Sequence, residues 1–224
     1  MLHDVNELKE LDIEVGYDEE TTFGNYTIKV MADHDIESPR EWDNLGTMVC
    51  FFDYGYLGDV NGQKEYYNDR DRLWHELSGL YDEEHTDYLT DGQIERVRKV
   101  AFEKNIILPL YIYDHSGITM NTSGYSCPWD TTMAGYIYIS LEKVREEYGV
   151  KRVSKKMRER IVGCLRSEVK IFDQYLTGDV YGYDITRKDE DGEEVDVDSC
   201  WGFYGYDDPY MTEEVIKGAI RYDI

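Results

Sequence analysis

The stretch IILPLYIY, residues 106–113, decides how the rest of the chain is read. None of its eight positions carries a charge. A continuous apolar run of this kind predicts a central strand covered on both faces, not a half-solvated one. It ends in Asp114-His115, and a polar loop is expected from there to about residue 133. AGYIYIS, residues 134–140, reads as the next strand. A short helix over 141–148 follows and is ended by Gly149.

Outward from this pair, YTIKVM (26–31) and TMVCFF (47–52) read as strands. The polar loop between them is broken by Pro39 and closed by Gly46. Helices are predicted over about 64–81, with Leu73, Leu77 and Leu80 on one face, and over about 91–104, with Ile94, Val97 and Ala101. Thr90 or Asp91 suits the cap of the second. Ser154 caps a long helix over about 155–176, whose buried stripe is Met157, Ile161, Leu165, Val169, Phe172 and Leu176. Cys164 lies beside that stripe and reads as packing. Residues 179–187 and 194–206 read as paired strands around KDEDGEE, with Asp191-Gly192 at the tip. A final helix is predicted over 211–221. Strands and helices mix without strict alternation, so the expected fold is α+β, a mostly antiparallel sheet with helices packed on it. Residues 1–224 read as a single domain, with an acidic N-terminal segment, 1–22, expected to be mobile.

Charge is the strongest bulk signal. There are 24 Lys and Arg against 48 Asp and Glu, a formal net charge of −24. Solubility needs far less. Phosphates would be repelled, so no direct nucleic-acid binding is expected. An acidic surface suits a basic protein surface instead, and nucleic-acid channels are the strongest of these. The 21 Tyr add rigid amphipathic area, suited either to a macromolecular partner or to a Tyr-rich core. No run is long and apolar enough for a membrane span. The acidic start has no signal-peptide core, so the cytoplasm is the expected compartment. There the four Cys should be thiols, metal ligands or core residues.

Asp114, His115, Cys127 and Asp130 place oxygen, nitrogen and sulfur donors on one loop, the set that zinc prefers. Cys50 and Cys200 sit in predicted strands and are candidates to approach it. The spacing matches no known finger pattern, and a strand-end histidine bonded to a turn fits His115 as well. Asp33, Asp35, Glu37 and Asp43 offer oxygen ligands but lack an EF-hand glycine, so a solvated loop is the plainer reading. His34 belongs to that loop, and the spacing of His75 and His85 converges on nothing. GxSxG, P-loop and HExxH templates are absent. The acidic segments Asp82, Glu83, Glu84 and Asp189, Glu190, Asp191, Glu193, Glu194 are the candidate partner contacts.

Long motifs carry a resemblance: ESPREWDNLG (37–46), LPLYIYDHSGITM (108–120), SCPWD (126–130), FDQYLTGDVYGY (172–183) and DSCWGFYG (198–205). With EKVREEYGVKRVSKKMRER (142–160) they resemble a family of phage and prophage proteins. Some streptococcal-prophage members look like type II-A anti-CRISPR proteins, which inhibit Cas9 and can carry zinc. The resemblance implies a phage-encoded Cas9 inhibitor acting in the cytoplasm of the bacterial host. It would block target-DNA loading as an acidic DNA mimic, with a structural zinc held by His115 and Cys127 with help from Asp114, Cys50 or Cys200. One departure stands out: Phe52 follows MVCF where the family pattern has His, which puts a four-ligand carry-over in doubt. The competing expectations are a metal-dependent hydrolase working from the 113–130 loop, and a phage protein with another host target. A structural zinc has four protein ligands, whereas a catalytic one keeps a water position.

Overall fold

The computed structural model describes residues 5–14, 19–52, 57–66, 69–80, 90–127, 129–206 and 210–224. In chain order the elements are α1 (Val5–Glu10), β1 (Glu19–Phe23), β2 (Tyr26–Ala32), β3 (Thr47–Cys50), β4 (Val60–Asn61), α2 (Gly62–Glu65), α3 (Arg70–Ser78), α4 (Asp91–Lys104), β5 (Asn105–Asp114), β6 (Ile118–Asn121), β7 (Thr131–Ser140), α5 (Leu141–Glu147), α6 (Lys155–Thr177), β8 (Val180–Lys188), β9 (Glu194–Tyr204) and α7 (Lys217–Asp223). The fold is α+β, as expected, with two mostly antiparallel sheets. Where the sequence reads as one domain, the chain packs as two compact units. Residues 1–37 and 174–224 form the terminal unit, and 38–173 the internal unit. The division falls in a polar loop and inside α6, so no Pro-rich linker announces it.

The internal sheet has the order β4-β3-β7-β5-β6, antiparallel except for β3 with β4. The uncharged run 106–113 lies in β5, between β7 and β6. On one face Ile107, Tyr136 and Tyr138 pack under Trp74 of α3 and Val97 and Ala101 of α4. On the other, Leu165 of α6 sits so close to Gly46 and Ile137 that a side chain at Gly46 would collide with both. Ile161, Leu165 and Phe172 are fully buried, as the periodicity requires. Gly135 is needed where β7 pairs with the end of β3, because a Cβ there would fall 1.9 Å from the Val49 carbonyl oxygen.

Several elements differ from expectation. The loop after His115 contains β6, whose Ile118 and Met120 are buried; Gly117 and the turn at Asn121 hide so short a strand. The helix predicted over 64–81 is instead α2 and α3. Asn61 Oδ1 caps the first and Asp69 the second, and Gly79 ends the second in the left-handed conformation.

The ESPREWDNLG segment acquires a structural role through Arg40, whose side chain is 5% exposed. Its Nε and Nη2 donate to Asp59 Oδ1 (2.8 Å) and Oδ2 (2.6 Å). Nη1 donates to Glu168 Oε2 (3.0 Å), and Nη2 also to the Gly46 carbonyl (2.7 Å). Glu168 accepts in turn from the N–H groups of Leu45 (2.9 Å) and Gly46 (3.2 Å), and Asp59 from that of Met48 (2.7 Å).

The terminal sheet, β1-β2-β8-β9, is antiparallel throughout. Ile28, Val30, Tyr183 and Ile185 bury one of its faces against Leu8, Ile13 and the C-terminal residues Met211, Ile216 and Ile220. In and just beyond 1–22, for which the sequence suggests a mobile acidic segment, α1 and β1 form; Leu8 and Ile13 are buried in the core there and Leu11 packs against it. The last predicted helix begins as a π-helical turn, Tyr210–Ile216, and continues as α7.

Arg40→Met removes one partner of a buried charge network and leaves two carboxylates facing each other. The expected cost is about 3–5 kcal/mol in denaturant unfolding. A loss below about 1 kcal/mol would mean the network is no more than a surface pair.

Candidate functional site

The 113–130 loop joins the ends of β5 and β7 in the internal unit. The Asp114 N–H donates to the Asp130 carbonyl at 3.4 Å, and the Cys127 thiol to Asp130 Oδ2 at 3.3 Å. Asp114 and His115 are exposed. The His115 N–H donates to the Gly117 carbonyl (3.2 Å) in a turn where Ser116 takes φ 59°. The His115 ring lies 6.0 Å from that of Tyr113. Among the described residues no three His, Cys, Asp or Glu side chains gather as a metal-holding group. Cys127 and Asp130 are adjacent donors, but a closed zinc site takes four, and the described residues do not assemble them.

Cys50 lies elsewhere in the internal unit. Cys50 pairs with Gly135 of β7, whereas the loop begins beyond Thr131. Four residues of strand separate these positions, on the order of 13 Å. Cys50 is 1% exposed, and burial, reinforced by the Asp59 carboxylate, pushes its thiol up to about 12. Arg40 offsets this only in part. A metal ligand must be a thiolate, so this environment favours a packed thiol. Cys200 is exposed on β9 and belongs to the terminal unit, not to the unit that holds the loop. Of the remaining candidates, Asp33 Oδ1 accepts from the Asp35 N–H (3.1 Å) and so closes its own turn. His75 is buried on α3, and that burial holds it below its usual 6.5.

The second candidate is the acidic hairpin of the terminal unit. Asp189 accepts from the N–H groups of Asp191 and Glu193, both at 2.9 Å, and Gly192 takes φ 83° at the turn. Asp189 therefore holds the turn, while Glu190, Asp191, Glu193 and Glu194 face solvent. Asp82, Glu83, Glu84 and His85 lie outside the described residues. The acidic surface runs further than the sequence suggested. Asp196 and Asp198 continue it along β9, and Asp184 joins from β8. With Glu194, Thr27 and Lys29 they line a shallow groove of about 360 Å³ on the sheet. Lys29 pairs with Glu20 (3.7 Å) and Arg187 with Asp223 (2.8 Å), so two of the nearby cations are already matched. Trp201 on β9 stands 46% exposed, and its ring takes the space that a side chain at Gly182 would need. The alternation in EVDVD was the signal that could have found Asp196 and Asp198.

The Tyr residues divide. Tyr26, Tyr66 and Tyr183 are core; Tyr206, Tyr210 and Tyr222 are exposed in the terminal unit. Comparison with known protein families, with curated proteins and with solved structures gives no match.

The four thiols should separate by reactivity. In the native protein Cys200 is expected to react first with a thiol reagent, and Cys50 only on unfolding, as mapped by mass spectrometry of the labelled peptides. Equal rates for these two would contradict the placement of Cys50.

Proposed function

We propose that this protein is a stoichiometric, non-catalytic inhibitor that engages a basic, nucleic-acid-handling protein through the acidic edge of its terminal unit. The partner in this reading is Cas9, in the cytoplasm of the bacterial host, and the effect is to block target-DNA loading. The supporting observation is the exposed turn and edge strand β9, with Glu190, Asp191, Glu193, Glu194 and Asp196 facing solvent and Trp201 on the same strand. Carboxylates two residues apart on a strand repeat about every 6.8 Å. That is roughly half the linear charge of one DNA strand. Such a row steers encounter with a basic channel, while affinity falls to aromatic anchors such as Trp201. The motifs at 37–46, 108–120, 126–130, 172–183 and 198–205 support Cas9 by resemblance, and a positively charged channel for the guide–target duplex is the surface this charge suits. Among the described residues no helix is long and apolar enough to cross a membrane.

The test is DNA cleavage by guide-loaded Cas9, titrated with this protein before or after target DNA. Inhibition should saturate near one inhibitor per nuclease, on the order expected of a stoichiometric binder, and should weaken once DNA is bound. Reversing Glu190, Glu193 and Glu194 to Lys should slow association, and Asp189 is spared because it holds the turn. Equal potency in both orders excludes competition for the DNA path. No inhibition at excess removes Cas9 as the partner. Complete inhibition at a small fraction of the nuclease concentration favours an enzyme.

The structural zinc belongs to the same proposal, resting on the donors His115, Cys127, Asp114, Cys50 and Cys200 as a sequence set and not on their placement. Elemental analysis of protein purified without added metal decides it. About one zinc per chain supports the ion, and chelation should then lower the melting temperature. A content near zero removes it and leaves the inhibitor reading intact.

A further inference from the structure

In the internal unit, Arg70 and Trp74 lie one turn apart on α3, and Arg98 and Phe102 one turn apart on α4. With Met133 and Tyr136 of β7 they line a cavity of about 390 Å³. The Trp74 ring meets Tyr136 edge-on at 4.5 Å and Phe102 at 5.6 Å, and the Arg98 guanidinium carbon lies 5.9 Å from its centroid. Trp74 is 2% exposed, yet among the described residues its Nε1–H has no hydrogen-bond acceptor. A buried donor is normally matched, and one left over at a cavity wall suits an acceptor on a bound ligand. Arg70 uses an Nη2–H on the Met133 carbonyl (2.7 Å), and Arg98 an Nη2–H on Asp71 (3.1 Å). A guanidinium carries several donors, so both retain some for a ligand. Packing a helix pair on a sheet needs none of this chemistry. Apolar walls with a few convergent polar groups, in a volume of this size, are the ordinary make-up of a small-molecule site.

We propose that this cavity binds a small aromatic anion: a planar ring seated against Trp74 and Phe102, bearing a carboxylate or phosphate held by Arg70 and Arg98. The planar guanidinium fork matches either anion, and the ligand also supplies the acceptor for the Trp74 N–H. The site is independent of the acidic hairpin and of any partner protein.

Calorimetric titration of the purified full chain tests it with four probes. Indole-3-acetate is the aromatic carboxylate and uridine monophosphate the aromatic phosphate. Indole supplies a ring without charge, and inorganic phosphate charge without a ring. At least one aromatic anion should saturate a single site and bind about tenfold or more tighter than indole and phosphate. Which one binds identifies the source of the anion. Arg98→Gln changes an exposed side chain; it should weaken binding by about tenfold or more at unchanged melting temperature. Trp74→Phe keeps a ring, removes the N–H and should also weaken it. No saturable binding of either aromatic anion at millimolar concentration would overturn the proposal. So would indole binding as tightly as its acetate, or an unchanged affinity in Arg98→Gln.

Discussion

The internal unit is organised around the Arg40 guanidinium. Its partners Asp59 and Glu168 stand 19 and 128 residues away in sequence. Through them one side chain ties the short 3-10 turn at Pro39–Glu41, the approach to β4 and the middle of α6. Burying an ion pair is costly, and the attraction repays it only where the remaining donors and acceptors are also matched. Here the carboxylates are matched by backbone N–H groups of Leu45, Gly46 and Met48. The same segment must carry glycine at 46, because Leu165 and Ile137 occupy the space of a side chain. Polar geometry and apolar contact therefore specify one position of α6 on the sheet. The network also reaches Cys50, whose thiol is held neutral by burial and by the Asp59 charge.

The terminal unit handles charge differently. Its sheet has one apolar face and one wet face, and it ends in an exposed eleven-residue strand, β9. An exposed edge of that length invites pairing with other chains. Glu194, Asp196 and Asp198 oppose this by charge repulsion, and the same carboxylates give the edge its attraction for a basic surface. Asp198 is held in place by the Tyr183 hydroxyl, which donates to it at 2.7 Å. Acids placed by local structure form a more ordered row than the bulk net charge implies.

How much was legible follows from range. The stripe of α6, the uncharged run in β5 and the Asp191-Gly192 turn depend on neighbours in sequence, and each reads correctly from it. β6 did not, because four residues between turn signals carry too little periodicity. Nor did the role of α1, since the burial of Leu8 comes from residues at the other end of the chain. The candidate site was half legible. The acidic composition of residues 189–194 is legible, whereas the turn bonds that set Asp189 apart from its neighbours are not. The cysteines show the limit most clearly. Cys50, Cys127 and Cys200 share a residue type, and only the strand register separates them into a packed thiol, a loop thiol and an exposed thiol.

Hydrogen–deuterium exchange of this protein, alone and with guide-loaded Cas9, tests the functional account most directly. It reports which amides a partner covers without substituting any residue. The account predicts slowed exchange along the turn and edge strand, residues 188–201, with the internal unit unchanged. Slowed exchange confined to the internal unit, or none at saturating Cas9, would contradict it.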